Sequence, residues 1–202
     1  MIRVLVAEDI SMIRGALVAL LELEDDVDVV AAVADGEQIV STALLHQPDV
    51  AVLDVDLPGL DGISAAEQLR ERMPMCRALI VTGLGRPGTV QRALAAGVPG
   101  YLLKDAPPEQ LAHAVRAVAS GESVYDPKLA LAAWSSGSNP LTLREAEVLR
   151  LAGSGAGAPE IAAQLSLSVG TARNYLTKIV AKLNARNLVD ALRLARESGW
   201  LS

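Results

Sequence analysis

Apolar and polar positions follow two rhythms over the first 120 residues. Short, mostly apolar runs occupy 2–7, 28–33, 49–53, 78–82 and 100–103. Between them, at 11–23, 36–46, 62–72, 87–96 and 108–120, apolar residues recur every three or four positions. Buried strands give the first rhythm and amphipathic helices the second. Ser11 is placed to cap the first helix, carrying Ile13, Leu17, Leu20 and Leu21 at helical spacing. Asp35-Gly36 and Asp61-Gly62 mark the starts of the second and third helices, and Gly97 and Gly121 the ends of the fourth and fifth. Strands and helices in strict alternation predict an α/β fold, a (βα)5 doubly wound parallel sheet.

The strand rhythm then stops. A short helix is expected over Pro127 to Trp134, and Ser135-Ser136-Gly137-Ser138-Asn139-Pro140 has linker composition. Thr142 with Glu145 three residues on forms a capping box ahead of Val148, Leu149 and Leu151. The Gly-rich turn Gly153 to Gly157 leads to a helix near Pro159; another runs from Ser168 to about Leu183, and the last over about 187–198. The expected organisation is a domain at 1–122, a linker at 123–140 and an all-α domain of four helices at 141–202.

Composition narrows the class. With no Phe and 2% aromatic residues, the core must be built from Leu, Val, Ile and Ala. The single cysteine, Cys76, excludes an internal disulfide framework and reads as a buried small hydrophobe in a reducing compartment. No apolar stretch approaches the roughly 18 residues of a membrane span, and the chain enters a strand directly, so a soluble cytoplasmic protein with no membrane partner is expected. The net charge of −6 is uneven: residues 1–130 hold 19 acidic and 10 basic residues, residues 131–202 hold 5 and 8. The sign change leans towards nucleic acid as the partner of the second domain.

Polar residues close four of the strands: Glu8-Asp9, Asp54, Thr82 and Lys104. Parallel strands bring their carboxyl ends to one edge, and in the order 2-1-3-4-5 the first and third strands flank the crevice where ligands bind. Three carboxylates converging there repel one another, and a hard divalent cation with oxygen ligands, best Mg²⁺, offsets that repulsion. Asp54 is then a candidate nucleophile towards a phosphoryl group, with Lys104 giving a positive charge and Thr82 a hydroxyl to its oxygens. Strand ends in α/β proteins are also often polar for no chemical reason, and Lys104 could simply pair with a carboxylate.

Residues 1–122 resemble the receiver domain of two-component response regulators. The resemblance rests on Glu8-Asp9, the segment Leu53-Asp54-Val55-Asp56-Leu57-Pro58-Gly59-Leu60-Asp61-Gly62, Thr82-Gly83 and Tyr101-Leu102-Leu103-Lys104. It implies Asp54 as phosphoacceptor, with Mg²⁺ held by Glu8, Asp9, Asp54 and the backbone carbonyl of Asp56. It implies also a switch in which Thr82 moves towards the phosphoryl group and Tyr101 turns inward to fill the space. Glu8 stands where the family often has Asp.

In the second domain, two helices joined by Leu165-Ser166-Leu167 have helix-turn-helix layout. The second buries Leu176, Ile179, Val180 and Leu183 and carries Arg173, Asn174, Thr177 and Lys178 off that stripe, suited to a major groove; an ordinary solvated face is the other reading. Leu141-Thr142-Leu143-Arg144-Glu145-Ala146-Glu147-Val148-Leu149, Glu160-Ile161-Ala162, Leu165-Ser166-Leu167-Ser168 with Thr171, and Lys182-Leu183-Asn184-Ala185-Arg186-Asn187 resemble the DNA-binding domain of the LuxR/NarL class. By position, Arg173, Asn174 and Thr177 would face bases, and Lys178, Lys182 and Arg186 phosphates. Ala158-Pro159 and Val169-Gly170 depart from the family's usual residues. The stretch from Gly85 to Ala93 resembles that of DesR-type regulators.

Together the resemblances imply a transcription regulator, not an enzyme. Its partners would be a sensor histidine kinase, double-stranded DNA and, on phosphorylation, a second copy of itself. Two alternatives stand beside this: a regulator switched by partner binding without phosphate, and an aspartate-nucleophile phosphatase built on Asp54-Val55-Asp56. In the phosphatase fold the motif ends the first strand.

Overall fold

In the computed structural model, which describes residues 1–83, 85, 87–126, 129–130 and 139–201, the expected strands are β1 (Ile2–Ala7), β2 (Val27–Val33), β3 (Val50–Leu53), β4 (Arg77–Thr82) and β5 (Gly100–Leu103). Helices α1 (Ser11–Glu22), α2 (Glu37–His46), α3 (Gly62–Arg72), α4 (Pro87–Ala95) and α5 (Glu109–Ser120) connect and follow them. A short sixth strand, β6 (Val124–Tyr125), lies where the linker was expected to begin. The sheet is parallel, in the order β2-β1-β3-β4-β5-β6, so the first-to-third crossing falls where the sequence predicts. β6 pairs outside β5, Gly100 opposite Val124 and Tyr101 opposite Tyr125.

Both sheet faces are covered, which is why the strands read as continuous apolar runs. Val4, Val6, Val50, Val52, Leu79 and Val81 face Leu21 of α1 and Leu111, Ala114, Val115 and Val118 of α5. The alternating residues Leu5, Leu53 and Ile80 are also fully buried and point to the other side, where α3 packs on β3 and β4. Asp61 caps α3, accepting from the N–H groups of Ile63 and Ser64, and Gly121 ends α5 at a left-handed φ of 97°. Cys76 is buried, and burial, with Asp49 nearby, pushes its thiol up to about 12.

One expectation about α1 needs correction. Ser11 is the first helical residue and not the cap; the capping position is Ile10, with no side-chain hydrogen bond. The β1–α1 loop must keep Glu8 and Asp9 at the strand end, and that requirement sets where α1 begins. Of the apolar residues of α1 only Leu21 is fully buried, while Ile13, Leu17 and Leu20 are half-buried. The helix carries apolar residues on more faces than the sheet can cover.

The second unit contains α6 (Leu143–Gly153), α7 (Ala158–Gln164), α8 (Val169–Lys182) and α9 (Leu188–Glu197). Its core joins Val148, Leu149, Ile161, Ala172, Ile179, Leu183, Ala191, Ala195 and Leu201. Thr142 and Glu145 form the expected capping box, and Ser168 caps α8 by accepting from Thr171. The turn between α7 and α8 places Ser166 at a left-handed φ of 54°. On α8, Leu176 and Val180 are only half-buried, and Ala172 takes the inward position one turn earlier. The helix expected over 127–134 lies mostly outside the described residues; Leu129 and Ala130 are helical.

Candidate functional site

The carboxyl ends of β1 and β3 bring Glu8, Asp9 and Asp54 together, with one ligand atom of each within 4.8 Å of the others. Backbone pairing fixes this edge. The N–H of Asp54 donates to the Ala7 carbonyl (2.9 Å), that of Glu8 to Val33 (3.1 Å), and that of Lys104 to Thr82 (2.9 Å). Asp54 is 6% exposed, Glu8 0% and Thr82 1%, whereas Asp9 and Asp56 are exposed. Asp54 Oδ1 accepts from the Val55 N–H at 2.8 Å, which leaves Oδ2 facing Lys104.

Lys104 Nζ bridges Glu8 Oε2 at 2.7 Å and Asp54 Oδ2 at 3.1 Å. Burial pulls the ammonium's pKa down, but hydrogen bonds and charge from Glu8 and Asp54 outweigh it, so the net direction is up and Lys104 stays charged. Three carboxylates and one ammonium leave two negative charges unbalanced. Glu8 Oε2 is fully buried, and the cation that it meets is the ammonium it shares with Asp54. Three converging carboxylate oxygens with only one ammonium between them suit one divalent cation with oxygen ligands, so these residues fit Mg²⁺.

A glycine keeps this edge closed. A Cβ on Gly62 would lie 1.9 Å from the Asp54 carbonyl oxygen, so only glycine lets the start of α3 pass the end of β3. Tyr101 is 1% exposed and stacks on Tyr125, ring centroids 6.2 Å apart and planes at 18°. Tyr125 donates from its hydroxyl to the Val98 carbonyl at 2.5 Å, and burial pushes its pKa up to about 12. Tyr101 is thus already turned inward, under a strand absent from the sequence expectation.

On α8, Arg173, Asn174, Thr177, Lys178 and Lys182 are all exposed, at the spacing of one helix face. Neither Arg173 nor Lys178 enters an ion pair among the described residues. Thr177 donates its hydroxyl back to the Arg173 carbonyl at 3.1 Å. Lys182 is engaged inside the unit, its Nζ 2.6 Å from Glu145 Oε2. Arg186 pairs with Asp190 at 3.0 Å but stays 81% exposed, and Arg193 holds the other Asp190 oxygen at 2.8 Å. Sequence reasoning missed both acidic partners. In the sequence Glu145 signals a cap alone, and Asp190 stands out only by its spacing, four residues after Arg186 and three before Arg193.

Residues 4–116 match the family model of the response regulator receiver domain, and residues 139–195 that of the bacterial regulatory proteins of the luxR family. The chain belongs to the two-component response regulators of the NarL/LuxR type, in which a receiver precedes a helix-turn-helix DNA-binding domain. It is 45% identical over 200 residues to the transcriptional regulatory protein DesR of Bacillus subtilis strain 168, spanning 99% of each chain. It is 41% identical to the uncharacterized transcriptional regulatory protein YvfU of the same strain, over 100% of each. The crystal structure of the response regulator ChrA, from a heme-sensing two-component system, is 32% identical and covers 99% of this chain and 98% of its own, with a TM-score of 0.59. No helix among the described residues is long and apolar enough to cross a membrane.

Proposed function

We propose that Asp54 accepts a phosphoryl group from a sensor histidine kinase with Mg²⁺, and that the modified protein dimerises and binds promoter DNA through α8. The observation that carries this is the convergence of Glu8, Asp9 and Asp54 under Lys104. In the transfer, an Asp54 carboxylate oxygen attacks phosphorus; the O–P bond forms as the N–P bond of the kinase phosphohistidine breaks and the imidazole leaves. Glu8, Asp9, Asp54 and the Asp56 carbonyl would hold Mg²⁺, which when bound supplies positive charge to the phosphoryl oxygens. Lys104 lies within reach of Asp54 to neutralise the same charge, and Thr82 would donate its hydroxyl.

Phosphorylation adds about −1.5 to −2 charges, which draws Lys104 from Glu8 and rearranges the β4 and β5 ends that hold Thr82 and Tyr101. For DNA, Arg173 and Asn174 are suited to base edges and Lys178 to phosphate. Lys182 and Arg186 would reach phosphate only by exchanging their carboxylate partners. One small module with few cationic contacts binds weakly, and two linked modules gain effective concentration, which is the physical motive for dimerisation. The position of Asp54-Val55-Asp56 at the end of β3, not β1, favours this reading over an aspartate-nucleophile phosphatase.

The test incubates the protein with Mg²⁺ and a small-molecule phosphodonor and follows intact mass and sedimentation. A Mg²⁺-dependent phosphoryl adduct that is lost in Asp54→Ala and shifts the protein to a dimer is the expected result. An unmodified monomer, or a dimer indifferent to the phosphodonor, would overturn it.

A further inference from the structure

The acidic edge has a second cation, Arg14, to which the reading above gives no part. It sits in the first turn and a half of α1 and is half-buried, with no ion pair among the described residues. Its guanidinium turns back on the loop it has just left. Nη1 donates to the Glu8 carbonyl at 2.6 Å and to the Asp9 carbonyl at 3.2 Å. These carbonyls belong to the two residues whose carboxylates, with Asp54, converge at the site.

Other restraints on the loop fall mainly on Glu8 and Ile10. α1 has no side-chain cap; the Glu8 N–H donates to Val33 and the Arg14 N–H to the Ile10 carbonyl, the Ile10 N–H makes a long bond, 3.3 Å, to Glu8 Oε1, and Lys104 pairs with Glu8 Oε2. Asp9 is exposed, and none of these bonds holds its carboxylate. We propose that Arg14 is a positioning residue for the Mg²⁺ site: by fixing the peptide carbonyls of Glu8 and Asp9 it aims both carboxylates at the cation. This inference rests on reading that edge as the Mg²⁺ and phosphoacceptor site.

Both bonds leave one nitrogen, Nη1, whose two N–H groups are fixed in the plane of a permanently charged guanidinium, whereas a lysine ammonium is a freely rotating point donor on a flexible stem. A competing effect has the opposite sign. A cation this close to a metal site repels a divalent ion, so if charge were its main contribution, removing Arg14 would tighten binding. Residues that orient metal ligands typically change affinity 10–100-fold when removed.

The experiment titrates Mg²⁺ into the full-length unphosphorylated protein by calorimetry, comparing wild type, Arg14→Ala and Arg14→Lys, with thermal unfolding measured in Mg²⁺-free buffer. The expected result is a Mg²⁺ Kd raised about 10-fold or more in Arg14→Ala, an intermediate value in Arg14→Lys, and little change in the Mg²⁺-free melting temperature of Arg14→Lys. Phosphorylation by a small-molecule phosphodonor should return towards the wild-type rate at saturating Mg²⁺, a split that a general loss of folding would not give. Equal or tighter Mg²⁺ binding by both variants, with wild type binding normally, would overturn the positioning role alone. Failure of wild type to bind Mg²⁺ would overturn the metal reading and this inference with it.

Discussion

Single atoms decide how tightly the acidic edge is built. At Gly62, alanine would raise helix propensity by roughly 0.5–1 kcal/mol, yet its Cβ would meet the Asp54 carbonyl oxygen at 1.9 Å and the carbonyl carbon at 2.9 Å. Backbone cannot yield as a side-chain tip does, and forced overpacking costs about 1–3 kcal/mol or more, so the clash wins. Gly62→Ala should lower stability by about 2 kcal/mol in urea unfolding and slow phosphorylation of Asp54, whose main chain has to move. Lys104 stands in a related balance. It lies between two carboxylates, one of them fully buried, so it both compensates charge in the resting site and is placed to follow charge when a phosphoryl group arrives.

Among the elements, β6 and α9 carry consequences beyond their own length. β6 is two residues long, too short to hold by ladder bonds alone, and the Tyr101–Tyr125 stack with the Tyr125 hydroxyl on Val98 fastens it to the sheet. Tyr125→Phe removes that hydroxyl and leaves the Val98 carbonyl without its donor; a loss of about 1 kcal/mol in urea unfolding is expected. Tyr125→Ala also loses the ring contact, so it should cost more and expose Tyr101. In the second unit Glu145 is held down: burial raises its pKa, but the Lys182 and Thr142 hydrogen bonds outweigh this and keep the folded value below the ordinary 4.5. Asp190, bonded by Arg186 and Arg193, also lies well below its ordinary 3.8. A depressed folded pKa gives stability that is present above the unfolded value and lost as pH falls through the folded one. The helical unit should therefore weaken progressively below about pH 4.5, and Asp190→Asn should flatten that decline in far-ultraviolet circular dichroism. An unchanged acid profile in Asp190→Asn would count against these ion pairs as the cause.

At the scale of the whole molecule, charge is divided by unit. Residues 1–130 carry 19 acidic and 10 basic residues, and the modest positive excess sits with the DNA-binding domain. Within that domain the cations are not equivalent, since Lys182 and Arg186 already have carboxylate partners and Lys178 has none among the described residues. Lys178→Ala should therefore weaken binding to all DNA sequences alike and reduce the slope of log K against log salt by about 1. Arg173→Ala should instead relax sequence preference, with a smaller change in slope. Fluorescence anisotropy on specific and scrambled duplexes over a salt series separates the two outcomes.

The sequence by itself determined the five alternating strand and helix pairs, the helical second domain, and the gathering of Glu8, Asp9, Asp54, Thr82 and Lys104 at one edge. Periodicity is local, and parallel strands place the residues that end them on the same side, so strand ends can be read before any contact is known. The capping box at Thr142 and Glu145 was legible for the same reason, its two partners being three residues apart. Only the tertiary structure decided that Lys104 pairs with both Glu8 and Asp54, that Lys182 closes on Glu145 across 37 positions, and that Tyr125 returns to cover Tyr101. It also decided which apolar residues of α1 are buried, because that depends on how much area the sheet and α5 offer and not on the helix's own pattern. Arg14 shows a subtler limit: it lies only five and six positions from its partners, but they are main-chain carbonyls, which every residue has and no pattern of side chains can single out.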